Sequence, residues 1–560
     1  MTVSPYPYDT GSFGRPITTS IASAQEWFNR GLAWTYAFNH LEAARCFKLA
    51  LVADPSCAAA YWGLAYAVGP NYNKSLELFD PVELQRTIER VRTALEQAKA
   101  CKATPIEKGL IEALEERYAE DAVDNADRSR RYAARMRRVY EEFPTDLDVA
   151  ALFADALMNL GPWDLWDTHT GAPREQFHTL EIKKILETAL ASDPAAMDHP
   201  GILHFYTHLM EMSPTPELAL RPAARLIGLI PDGGHLHHMP SHLDLLVGDY
   251  GRAITSNLAA IKSNEKYAQL TSSTDFYTFY RVHDYNTLIY AAMLGGAYAV
   301  AIQGIEGMEE ALPENLLRIE SPPMADWLEV CWSTRAEVLV RFGKWDEILA
   351  LAIPEDQKLY SYTTAILHYA KGIAHSVLGN VPAALSEQAL FQAAATRVPD
   401  TRLNFPNKCS DMLRIASAML EGEIAYRQSD YSAAFAQLRK AVELSDGLVY
   451  SEPWSWKQPA RHAYAALSLE QGLVEQAMEA YAQDLGLSQG EQGRLPRAQW
   501  HPKNIWALSG YHECLVRLGR ESEASEIGIQ LEKARELADV TVEVGCYCAV
   551  ARKAGGGCCT

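Results

Sequence analysis

Long apolar runs are missing from this chain. No stretch of about 18 consecutive apolar residues occurs, so no transmembrane helix is expected. Long Lys/Arg clusters are missing too, and the formal net charge is −20. A phosphate backbone is bound through such clusters, so nucleic acid is not an expected partner. An anionic membrane surface is disfavoured on the same ground. The opening Met1-Thr2-Val3-Ser4-Pro5-Tyr6-Pro7 has neither a charged n-region nor an apolar h-region, so no signal peptide is expected. No window alternates in the two-residue period of a strand. There is no dinucleotide fingerprint, no phosphate loop and no nucleophile elbow, and hence no evident nucleotide cofactor.

Cysteine is sparse, ten in 560 residues. Cys46, Cys57, Cys101, Cys331, Cys409 and Cys514 are scattered through helical patterns and read as reduced packing residues. Together with the missing leader, this predicts a cytoplasmic location. Cys546, Cys548, Cys558 and Cys559 cluster near the end. They are expected in a frayed tail with free thiols, a soft-metal or lipid-attachment role being the alternative.

Apolar residues make up 48% of the chain, enough for a folded protein. Its length exceeds what a single core supports, so several domains or a stacked array must follow. A repeat is legible. Counting from Ala24, the residues Trp27, Gly31, Trp34, Ala43, Phe47, Ala50 and Pro55 fall on the signature positions of a tetratricopeptide repeat. Small residues there let two helices approach, aromatics fill the gaps between pairs, and the proline stops the second helix. A Gly/Asn-x-aromatic-x-x-Ala theme then recurs, as in Gly248-Asp249-Tyr250 to Ala253 and Gly296-Ala297-Tyr298 to Ala301. Its packing position returns at 253, 301, 348, 384, 434, 477 and 524, at intervals longer than the ideal repeat. The expected fold is therefore all-α, a superhelical array of antiparallel tetratricopeptide-type helix pairs over residues 21–550. Flexible segments are expected at 1–20, 120–128 and 486–502, with a disordered tail over 551–560. Such arrays present a groove that commonly holds a peptide or protein partner.

Histidine is the exception to this bland composition. Seven of 16 fall within 199–242: His199, His204, His208, His235, His237, His238 and His242. His204, His208 and Glu211 sit at i, i+4 and i+7 and share a helix face. Pro200 suits the first turn of that helix. In the second group His235, His238 and His242 would share a face, with His237 pointing away. Pro240 either begins a helix there or kinks one. The two groups lie about one repeat apart, so corresponding helices would bring them face to face. His283 starts the next unit and adds a further candidate ligand. An imidazole-dominated set with one carboxylate suits a transition metal. The set exceeds the needs of one closed tetrahedral site and would serve a paired copper- or iron-type centre. A single zinc site with an open position would instead imply hydrolysis. A metal-free structural hydrogen-bond network is the competing reading.

Several blocks resemble a group of long bacterial and fungal tetratricopeptide-repeat proteins. They are Tyr36 to His40, Ala60 to Gly63 with Gly69 to Asn73, Gly161 to Trp166, His199 to Glu211, Gly234 to His242, and His501 to Asn504 with Trp506. The resemblance runs over roughly residues 25–530. It implies a helical-repeat fold and marks His40, Asn71, Asn73, Trp163, Asp164, Trp166 and His199 as pocket candidates. The bland readings are aromatic packing for the tryptophans, a turn for Asn71 and Asn73, and a loop and helix start for His501 and Asn504. The group's pattern carries a second histidine three residues after His283, where this chain has Asn286.

The expected function is oxidative chemistry on a small organic substrate at a copper or iron site formed by His204, His208, Glu211, His235, His238, His242 and His283. A protein-binding scaffold and a zinc hydrolase are the alternatives.

Overall fold

The computed structural model describes residues 6–271, 277–488 and 495–549. It is all-α apart from a minimal hairpin in which Leu403–Asn404 pairs with Asn407–Lys408. The helices form antiparallel pairs of the tetratricopeptide type. Among the described residues no helix is long and apolar enough to cross a membrane. By packing, the chain falls into two compact units. The first comprises residues 1–243 and 256–280, the second 244–255 and 281–560.

In the first unit, helices Ala22–Tyr36 and His40–Ala53 make a hairpin against which Ala58–Ala67 folds back. The signature residues act here as their types demand. Phe47 is buried and fills the space between these helices because Gly31 and Gly63 carry no side chain. A Cβ at Gly31 would stand 2.7 Å from the Phe47 ring. Gly31→Ala is therefore expected to lower stability by about 1–3 kcal/mol through overpacking, measured as a shift in the urea unfolding midpoint. An unchanged midpoint would refute this packing role.

In the second unit the clearest pairs are Ser361–Val377 with Val381–Ala395, Cys409–Arg427 with Tyr431–Asp446, and Ile505–Arg517 with Glu521–Arg535. The recurring glycine has a geometric cause. Gly248, Gly296, Gly343, Gly379, Gly472 and Gly519 all have φ between 63° and 80°. Each ends a helix, and the next N–H reaches back five residues, as from Asp249 to the Asp244 carbonyl at 2.8 Å and from Leu473 to Ser468 at 2.9 Å. This is a left-handed C-terminal cap, which a residue without Cβ adopts at least cost. In the first pair the cap residue is Phe38, at φ 55°.

Residues 6–20, expected to be flexible, are held against the first unit. The Tyr8 ring lies 5.5 Å from that of Trp34, Arg15 forms ion pairs with Asp146 and Asp148, and Thr18 donates to Glu107. Aromatic and charged side chains supply these contacts, which a reading of turn formers overlooks. Within 120–128, the helix Asn125–Glu142 begins at a cap from Asp124. Residues 489–494 of the expected loop and the expected tail 551–560 lie outside the described residues. Cys546 and Cys548, expected as free thiols, are buried and joined as a disulfide.

Candidate metal centre

The first unit gathers five of the predicted histidines and Glu211 into one buried cluster. Helix Pro200–Glu211 starts at His199, whose Nδ1 accepts the Ile202 N–H at 3.2 Å. Gly201 lets this helix lie against the first one, since a Cβ there would meet the Tyr36 ring at 2.5 Å. That approach brings His204 Nδ1 to the Tyr36 carbonyl at 2.8 Å. In the second group Pro240 begins a helix, Pro240–Val247, directly after Gly234–His238. Proline is tolerated there because first-turn N–H groups have no intrahelical acceptor. His237 points away, bonding the Pro231 carbonyl at 3.0 Å.

The hydrogen bonds decide which ring nitrogen carries the proton. A carbonyl or carboxylate only accepts, so the nitrogen facing it must be N–H. His204 Nδ1 faces the Tyr36 carbonyl, and His208 Nδ1 faces Glu211 Oε1 at 3.0 Å. His242 Nδ1 faces Glu211 Oε2 in a short bond. His238 Nδ1 faces Asn257 Oδ1 at 2.7 Å. In neutral His204, His208, His238 and His242 the Nε2 atoms are then lone pairs. His238 and His242 bring theirs together at 2.6 Å. His235, whose Nδ1 has no hydrogen-bond partner among the described residues, sets Nε2 3.0 Å from His204 Nε2, where an Nε2–H on His235 donates to the His204 lone pair. One nitrogen each from His204, His208 and His235 lie within 4.8 Å of one another. Two nitrogens bound to one ion at near 2.0–2.1 Å stand about 2.9–3.4 Å apart. The 3.0 Å His204–His235 spacing suits a shared cation, whereas the 2.6 Å His238–His242 spacing is shorter than one ion would hold.

The cluster is dry. His204, His208, Glu211, His235 and His238 are fully buried, and His242 is 6% exposed. Burial, reinforced by neighbouring imidazoles, pushes the pKa values of His204 and His235 well below the ordinary histidine range. Neutral imidazole is the metal-binding form.

Aromatic rings enclose the trio. Phe38 is centred 4.4 Å from the His204 ring and stacks on His235 at 5.3 Å. Tyr72 lies 4.8 Å from His208, and Tyr280 lies 5.0 Å from His235. The left-handed backbone of Phe38 thus projects a large ring where six of the other turns have glycine and one has Ser429, a local strain of about 1–3 kcal/mol.

His199, His40, Asn71, Trp163, Trp166 and Asp164 have other partners or roles. His199 is fully engaged, its Nε2–H donating to Asp148 Oδ1 at 3.1 Å while Nδ1 caps the helix. His40 opens the helix His40–Ala53, and burial lowers its pKa to about 4. Asn71 Oδ1 accepts the N–H groups of Asn73 and Lys74, which makes a turn. Trp163 donates its backbone N–H to the Tyr72 hydroxyl at 3.1 Å and stands behind that ring. Trp166 is buried and donates to the Leu209 carbonyl, while Asp164 pairs with Arg174. His283 belongs to the second unit, on helix Tyr277–Gly295. Glu211, expected among the ligands, has an oxygen on each of two ring N–H groups. Sequence reasoning missed Phe38, Tyr72, Asn257 and Tyr280. For Phe38 a signal existed, since it occupies the position that glycine takes in the recurring theme.

The second unit has its own buried polar network. Asp484 accepts from His462 Nε2 at 2.7 Å, His501 Nδ1 at 2.8 Å and Asn504 Nδ2 at 2.9 Å. His501 Nε2 in turn accepts the Tyr290 hydroxyl at 2.8 Å. Asn504 also caps helix Ile505–Arg517. His501 and Asn504 thus form a loop and a helix start, tied together by one carboxylate.

No family model matches the chain. No curated protein matches it either. Among solved structures it is similar to yeast Tom70, at 12% identity and TM-score 0.29, over 92% of this chain and 99% of that one. It is similar to Ypp1 at 12% identity and TM-score 0.30, over 92% and 73% of the respective chains. It is also similar to a chain of the Naa15/Naa10 structure bound to HypK-THB, at 14% identity and TM-score 0.21, over 92% and 70%.

Proposed function

We propose that the first unit is a copper-dependent oxidoreductase module acting on a small organic substrate, its metal held by His204, His208 and His235 with His238 and His242 adjoining. The observation that carries this is the buried convergence of one nitrogen each from His204, His208 and His235 within 4.8 Å, beside the facing Nε2 lone pairs of His238 and His242. Facing lone pairs repel. A shared proton or a cation relieves that repulsion, and a trio of imidazoles favours a transition metal.

Nitrogen-only ligation favours copper. A non-haem iron site of the two-histidine, one-carboxylate type needs a carboxylate oxygen on the ion, and both Glu211 oxygens face ring N–H groups. Bound copper would supply one-electron steps between substrate and dioxygen. The overall change is a two-electron oxidation: the substrate loses two electrons and two protons, and dioxygen gains both to become hydrogen peroxide. The protein's share is to hold the rings in one tautomer and to exclude water. Phe38, Tyr72 and Tyr280 pack against the histidine rings and fix their positions.

The test is metal analysis of protein purified without an affinity tag, alongside His204→Ala. Near-stoichiometric copper in the native chain, lost in the variant, supports the reading. Substoichiometric metal unchanged by the substitution would sink it and favour a protein-binding scaffold with structural histidines. One zinc ion and no oxygen consumption would favour a hydrolase.

A further inference from the structure

Resting on that reading, we infer that the cluster holds two copper ions, one at His204, His208 and His235 and one at His238 and His242, coupled through the buried carboxylate of Glu211. Three observations carry this. The Nε2 atoms meet as two separate pairs, one at 3.0 Å, within the span of a shared ion, and one at 2.6 Å, which an ion would open by about 0.3 Å. The two groups are neighbours, with the rings of His208 and His242 5.7 Å apart and those of His235 and His238 5.8 Å apart. Glu211 joins them from behind, Oε1 on a ring of the trio and Oε2 on a ring of the pair.

The carboxylate orients both rings and makes both Nε2 atoms better ligands. It also makes the groups interdependent. An ion on His208 renders its Nδ1–H more acidic and draws electron density from Glu211. His242 then becomes the poorer base, so the second ion binds more weakly than the first. The pair supplies two protein nitrogens and leaves coordination positions for oxygen or substrate. Glu211 is a positioning residue in this scheme, since it acts through the two imidazoles.

Glutamine at 211 separates this role from simple packing. Its amide has one accepting oxygen, so it can take only one of the two N–H groups. The other ring would face an NH2 group and must turn its lone pair to Nδ1, which places a hydrogen on Nε2 and removes that nitrogen as a ligand.

The experiment adds Cu(II) to chelator-stripped full-length protein and counts bound copper by elemental analysis and electron paramagnetic resonance. The native chain should bind two ions whose spectrum shows dipolar or exchange coupling. Glu211→Gln should bind one tightly, with the second weakened by about 10–100-fold, and should show an isolated mononuclear spectrum. His235→Ala and His242→Ala should each retain one uncoupled ion, and they test the inference should Glu211→Gln fail to fold. One ion in the native chain, abolished alike by His235→Ala and His242→Ala, would overturn the two-ion inference and leave the metal-site reading standing. No bound copper at all would overturn that reading itself.

Discussion

Asp484→Ala will lower the stability of the second unit by about 3–5 kcal/mol. The carboxylate is fully buried and takes hydrogen bonds from His462, His501 and Asn504. Deleting it strands these donors in the interior, where each loses the water it gave up on folding. Asp484→Asn keeps the size but replaces one acceptor by a donor, so it should fall between alanine and the native residue. Chemical denaturation followed by circular dichroism measures both. A loss under about 1 kcal/mol for alanine would show that the donors find other partners.

The same network predicts acid sensitivity. Burial lowers the His462 pKa to about 4, Asp484 opposing that effect, against about 6.5 in an unfolded chain. Between these values the unfolded state binds more protons, so stability falls as pH drops from 6.5 towards 4. Burial alone would raise the Asp484 pKa, but His462 and His501 hold it far below the usual carboxylate range. Its contribution is full above the unfolded value near 3.9 and is lost as pH falls further. His462→Phe should flatten the dependence between pH 6.5 and 4, and an unaltered slope would assign it to other groups.

Removing and restoring copper is expected to have a comparable effect in the first unit. A ligand that binds only the folded state adds about 4 kcal/mol at a free concentration a thousandfold above its Kd. Stripped protein should therefore melt earlier than native protein, and Cu(II) should restore the transition. In His204→Ala the restoration should shrink sharply, because a trio reduced to two nitrogens binds far more weakly. Mg(II), which prefers oxygen ligands, should restore nothing. Equal stabilisation of native and His204→Ala protein by Cu(II) would place the binding elsewhere, for example on exposed histidines.

The amino-acid order alone determined the helix-pair fold, because helical packing is written in local spacing. Gly31, Phe47 and the recurrent turn glycines stand where helices must touch or end, and those rules act within some 30–50 residues. The same local logic put His204 and His208 on one face and turned His237 away. Only the tertiary structure decided what the histidines do together. Glu211 reads in the sequence as a ligand at i+7, and the structure puts one of its oxygens on His208, three residues away, and the other on His242, 31 residues on. His199 reads as part of the cluster, yet it caps a helix and holds Asp148. Asn257 and Tyr280 carry no motif, and Phe38 and Tyr72, though inside blocks that the sequence marks, come to the site through chain packing. The division into two units was hidden for the same reason. The repeat pattern runs on through residues 244–255 and 281, and which side of the boundary a helix turn joins depends on contacts far apart in the chain.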